Sequence, residues 1–127
     1  MLLHCNKLAR LVALALFMTG LAGVPAIAGP AYLQEVSDMP LPAGFSEDRS
    51  AGMAFDKPEG RIIEAVARGR GDRAAVVSFY RNALPELGWA AESDAGFLAW
   101  RREGEALRLE VTGAGTEVVI RFHIAPQ

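Results

Sequence analysis

The chain has 127 residues, 51% hydrophobic and 22% charged, with 13 Lys and Arg against 15 Asp and Glu and a formal net charge of −2. That balance argues against a nucleic-acid partner, and one cysteine excludes a disulfide scaffold. Two histidines leave little material for imidazole-based metal or triad chemistry.

Residues 1–28 read as a secretory signal: Lys7 and Arg10 precede an apolar run from Leu11 to about Leu21, and Ala26-Ile27-Ala28 gives a small-residue cleavage pattern. Cleavage is expected before Gly29. The run is shorter than the ~20 residues of a membrane-spanning helix. Cys5 precedes it, whereas a bacterial lipoprotein carries its cysteine just after. The expectation is therefore a soluble periplasmic or secreted protein that meets the membrane only transiently, through its signal. Cleavage would remove Cys5, His4, Lys7 and Arg10, leaving 11 of the 13 basic residues against all 15 acidic ones, a formal charge of −4, and His123 as the single imidazole. About 99 residues without disulfides make one domain with a modest core.

Residues 29–37 are expected as a flexible lead-in and residues 38–127 as the domain, because Pro30, Pro40, Pro42 and Gly44 break any sustained period. Leu41-Pro42-Ala43-Gly44-Phe45 reads as a turn, anchored by Leu41 and Phe45. Gly52 to Asp56 and Arg61 to Arg68 read as strands joined by Lys57-Pro58-Glu59-Gly60, a hairpin whose Ile63, Ala65 and Ala67 face inward.

The segment from Asp72 to Leu84 predicts an amphipathic helix. Val76, Val77, Phe79, Tyr80, Ala83, Leu84 and Leu87 share one arc of the wheel, Asp72 is a suitable N-cap, and Pro85 is expected to end the regular helix at Leu84. An amphipathic helix of about three turns is marginal alone in water and must dock on something.

Behind it, a short strand from Trp89 to Ser93, a turn at Asp94-Ala95-Gly96, and strands over Phe97 to Glu103, Ala106 to Thr112 and Thr116 to Ile124 complete the chain. Leu107, Leu109 and Val111 alternate with Arg108, Glu110 and Thr112. Val118, Ile120, Phe122 and Ile124 alternate with Glu117, Val119, Arg121 and His123. The predicted fold is α+β: one helix packed on one face of an antiparallel sheet of about five to six strands, in the order strand, strand, helix, then four strands.

The other sheet face is the expected working surface. Val66 and Val119, together with Trp100 if Phe97 and Ala99 face the helix, form an apolar centre among Arg108, Glu110, Arg121 and His123. Arg108, Arg121 and His123 could hold an anion, unless Glu64, Glu110 and Glu117 neutralise them in cross-strand pairs. Arg68-Gly69-Arg70-Gly71-Asp72-Arg73 offers glycines and arginines ahead of the helix but lacks the lysine and spacing of a P-loop. Its Arg70-Gly71-Asp72 spells an adhesion tripeptide, yet Asp72 is already needed as the N-cap. The aromatic residues read as core. No catalytic, cofactor-binding or metal-ligating residue is expected.

The combination of Pro40-Leu41-Pro42-Ala43-Gly44-Phe45, Phe55-Asp56-Lys57-Pro58-Glu59-Gly60-Arg61-Ile62 and Phe79-Tyr80-Arg81-Asn82-Ala83-Leu84-Pro85-Glu86-Leu87-Gly88-Trp89 resembles small uncharacterised exported domains of proteobacteria, over nearly all of the mature chain. The resemblance implies export and a compact α+β domain and supplies no site residue. The function expected is a non-catalytic accessory or protein-interaction domain of the bacterial envelope, with an envelope protein as partner. Small-molecule or anion binding is the alternative, and an enzyme comes last.

Overall fold

The helix, α1, spans Arg73–Glu86 in a computed structural model whose described residues are 23, 29–92 and 98–127. The expected signal, apart from residue 23, and the Asp94-Ala95-Gly96 turn with Ser93 and Phe97 lie outside them. Asp72 caps α1 as its composition requires, its carboxylate accepting from the Ala75 N–H at 3.3 Å. The helix runs two residues beyond the expected end at Leu84 and takes Pro85 into its last turn. Pro85 removes only the bond to the carbonyl of Arg81, and Arg81 is exposed to water. Gly88, at φ +86°, then lets the Trp89 N–H reach back to the Leu84 carbonyl (3.0 Å) and its own N–H to Pro85 (3.1 Å). This is a Schellman closure, and it packs buried Trp89 against the helix end.

The strands are β1 (Phe45–Glu47), β2 (Met53–Lys57), β3 (Gly60–Arg70), β4 (Ala90–Glu92), β5 (Leu98–Arg102), β6 (Glu105–Ala114) and β7 (Glu117–Pro126). They form one antiparallel sheet in the order β1-β3-β7-β6-β5-β4, with β2 also on β3. The α+β architecture is the expected one, with seven strands in place of five or six. The extra strand is β1. It pairs with Ala67–Gly69, whereas β2 pairs with Gly60–Glu64 on the same edge of β3, and a 3-10 turn at Arg49–Ala51 bulges between them. β1 and β2 are thus one edge strand broken in two. Its residues were not expected as strand because three of them cannot show a period.

Val76, Tyr80 and Leu84 of α1 dock on a face built from Ile63, Ala65 and Ala67 of β3, Leu107, Leu109 and Val111 of β6, and Val118, Ile120, Phe122 and Ile124 of β7, all buried. The Tyr80 ring stands edge-on to Phe122, centroids 5.7 Å apart, and its hydroxyl donates to the Pro40 carbonyl at 2.9 Å. Burial pushes the Tyr80 phenol up from its ordinary value.

One helix does not cover this face alone. Leu33, Val36, Met39 and Leu41 are each at most 4% exposed, and the Leu33 N–H bonds to the Met39 carbonyl at 3.0 Å. Buried side chains therefore reach back to Leu33, ahead of the expected domain start at residue 38 and inside the expected lead-in over 29–37. Leu33, Val36 and Met39, isolated among prolines and polar neighbours, look like linker in sequence. Burial of these side chains is what offsets the cost of ordering the segment.

Candidate functional site

The sheet face turned away from α1 takes the alternate residues of the same strands. Register sets three rows across it: Glu64, His123, Arg108 and Ala99; Val66, Arg121 and Glu110; and Arg68, Val119 and Thr112. Residues directly opposite in an antiparallel ladder emerge on one side, so these rows are neighbours in space.

Trp100 is not among them. It pairs with Leu107, lies in the core cluster on the helix side, and is 4% exposed. The expectation that Trp100 emerges on the open face is therefore corrected. The run Leu98-Ala99-Trp100 has no alternation of its own, and register against Leu107 and Leu109 decides the side. Val66 does point to the open face, yet only 4% of it is exposed, so it too offers a partner nothing to touch. Its carbonyl accepts from the Asp48 N–H at 2.7 Å, where the bulged edge folds close to it. The apolar centre expected from Val66, Val119 and Trp100 reduces to half-buried Val119.

The centre of that face is otherwise mostly charged. Arg108, Leu109, Glu110, Arg121 and His123 line a shallow depression of about 310 Å³. His123 Nδ1 lies 3.3 Å from Glu64 Oε1. Arg68 is held by Asp48 at 3.3 Å and Glu117 at 3.5 Å. Hydrogen bonds from Ser50 and then Arg68 keep the Asp48 carboxyl below its ordinary range. Of the three glutamates expected to neutralise Arg108, Arg121 and His123, Glu64 thus pairs with His123 across the strands as expected, and Glu117 is turned to Arg68 instead. Among the described residues no carboxylate lies within 4.0 Å of the Arg108 or Arg121 guanidinium, although Glu110 stands directly across from Arg121 in register.

The glycine and arginine segment before the helix is committed to structure. Asp72 caps α1, the Gly71 N–H donates to the Thr116 carbonyl at 3.1 Å, and Arg73 Nε donates to the Val111 carbonyl at 2.8 Å. Among the described residues no group of His, Cys, Asp and Glu side chains is arranged to hold a metal ion.

Two features went unseen in the sequence. Met53 and Phe55 on β2 are 56% and 45% exposed and share the open face, since they pair with Glu64 and Ile62. The alternation of Met53 and Phe55 with Ala54 and Asp56 was the signal for them. The second is Arg102, which shares the helix-side face with Trp100. Its guanidinium lies 4.3 Å from the Trp89 ring centre and donates to Asp38 and to the Leu87 carbonyl at 3.0 Å. The hydrogen bond from Arg102 holds the Asp38 carboxyl below its ordinary value. This cluster fastens the lead-in to the end of α1. Comparison with protein families, with curated proteins and with solved structures finds no match to this chain in any of the three.

Proposed function

We propose that this is a non-catalytic exported accessory domain of the bacterial envelope, and that its open sheet face binds an acidic segment of another envelope protein. The observation that carries the reading is the pair Arg108 and Arg121, diagonal neighbours on β6 and β7 with no described carboxylate within 4.0 Å. Guanidinium groups are readily satisfied by carboxylates in bidentate geometry. Both arginines are exposed, so each contact alone is worth at most about 1 kcal/mol in water. A segment bearing several carboxylates can sum such contacts, and a lone small anion cannot. Export rests on the order of basic, apolar and small residues in 1–28 and on the resemblance to exported domains.

The depression lined by Arg108, Arg121 and His123 favours a second reading, a small anion held there. Titrating the protein with a labelled oligoglutamate peptide, a neutral peptide of equal length and inorganic phosphate separates the two. The expected outcome is salt-sensitive binding of oligoglutamate alone. It should weaken at least tenfold, or about 1.4 kcal/mol, in Arg108→Glu/Arg121→Glu, with little change in melting temperature. Saturable phosphate binding lost in the same variant would transfer the assignment to the small anion. Oligoglutamate binding that is indifferent to both substitutions would refute the site.

A further inference from the structure

Among the described residues no strand lies beside the outer edge of β2. β7 occupies one side of β3 along residues 63–70, so β1 and β2 fill the other side and leave their own outer edge open. Lys57 and Gly60 flank a turn of Pro58 and Glu59, and residues flanking such a two-residue loop exchange both ladder hydrogen bonds. By alternation Phe55 and Met53 also bond inward to β3. The N–H and C=O groups of Ala54 and Asp56 therefore point outward, free to pair with another strand.

This edge is also unusually apolar at its surface. Every residue of β2 is exposed, and Met53 and Phe55 are two of the three large hydrophobics exposed among the described residues. They stand side by side on the face of the sheet that carries Arg108 and Arg121.

We propose that β2 pairs with β2 of a second copy of this chain, antiparallel and in register about Phe55. The strand is self-complementary in that arrangement alone among the neighbouring ones that join the outward groups. Phe55 meets Phe55 across the axis, Met53 meets Lys57, and Ala54 exchanges its backbone hydrogen bonds with Asp56. No charged residue then lies opposite one of like sign. Sliding by two residues in one direction sets Asp56 against Asp56. Sliding in the other leaves Asp56 and Lys57 facing the bulge at Ala51 and Gly52. Lys57 Nζ already lies 5.9 Å from its own Phe55 ring and would meet the facing Phe55 as its diagonal neighbour.

Such a contact closes on a two-fold axis and does not propagate. A five-residue strand pair buries less than the ~1,000 Å² of a stable interface, so the dimer is weak and reversible. The axis stands perpendicular to the sheet and leaves both open faces on one side, where a long acidic segment could engage two sets of arginines. The dimer itself does not depend on what that face binds.

Sedimentation equilibrium of protein purified from a periplasmic extract, from about 10 μM to about 1 mM, tests this. The weight-average mass of the parent should rise with concentration toward twice the monomer. Ala54→Pro removes an N–H that by alternation points away from β3 and has no partner strand among the described residues, so it should abolish the rise while leaving the melting temperature close to the parent. Phe55→Glu places like charges across the axis and should raise the dissociation constant at least tenfold even if the proline variant folds poorly. A parent that stays monomeric throughout, or a dimer that survives Phe55→Glu unchanged, overturns the proposal.

Discussion

Gly69→Ala should destabilise the domain, although adding a methyl group to a strand glycine ordinarily helps by about 0.5–1 kcal/mol. Gly69 pairs with Phe45, and the Phe45 ring lies directly over it: a Cβ built at Gly69 would stand 2.6 Å from Cγ, 2.7 Å from Cδ2 and 2.8 Å from Cδ1. Carbon atoms rest at about 3.5–4.0 Å, so the ring must retreat by roughly 1 Å. These are the atoms nearest the ring's attachment, so rotating its far end does not relieve the overlap. Phe45 is 7% exposed and sits in the core cluster, which turns the retreat into lost burial. Overpacking of this kind costs about 1–3 kcal/mol. Net of the propensity gain, Gly69→Ala should lose about 1–2 kcal/mol, or a fall of about 4–15 °C in the melting temperature of a domain this size. Phe45→Ala should cost about 3–5 kcal/mol. In that background, where the ring is gone, Gly69→Ala should become neutral or stabilising. Urea melts of the parent, both single variants and the double variant measure the coupling. A Gly69→Ala protein as stable as the parent, or one equally destabilised with and without the Phe45 ring, would refute the contact as the reason for glycine.

Asp38 has a depressed carboxyl because Arg102 hydrogen-bonds it, so the pair stabilises fully above the ordinary value of 3.8 and loses that contribution as pH falls through the lower, folded value. Asp38→Asn should lower stability at pH 7 by at most about 1 kcal/mol, since the carboxylate is 45% exposed. The gap to the parent should narrow below pH about 3, and a gap that widens in acid contradicts the pairing. Export predicts that intact-mass measurement of protein from a periplasmic extract gives a chain beginning at Gly29. A mass that still includes residues 1–28 would make that segment an anchor.

Where the sequence carried a period, it was legible. The strict alternation over Leu107 to Thr112 and Val118 to Ile124 placed Leu109, Val111, Ile120 and Phe122 in the core and Arg108, Glu110, Arg121 and His123 outside, and the structure keeps each of them there. The helical arc placed Val76, Tyr80 and Leu84 inward for the same reason. Three readings lacked a period to stand on. Leu33, Val36 and Met39 lie in a proline-broken segment whose burial depends on a site formed only once sheet and helix are in place. Trp100 lies in an apolar run whose side is set by its partner strand. Pro85 argued locally against helix, but the Schellman cap at Gly88 and Trp89, anchored by the burial of Trp89, carried the last turn past it.

Arg102 shows what keeps Trp100 on the helix side. The charges of β5 do not decide its facing, since Arg101 and Arg102 are adjacent and emerge on opposite faces. In the fold the helix side of β5 meets the C-terminal end of α1, where the free carbonyl of Leu87 and the negative end of the helix dipole attract a cation. The Trp89 ring beneath the guanidinium covers its apolar plane, and Asp38 supplies the opposite charge. Arg102 is thus satisfied at the rim of the core, with its stem against apolar surface and 15% of its side chain exposed. Trp100 is free to stay inside. The centre of the open face is correspondingly left to Val119 among charges, with Met53 and Phe55 only along its β2 edge, because Trp100 is held on the other side of the sheet beside a residue whose own charge is met there.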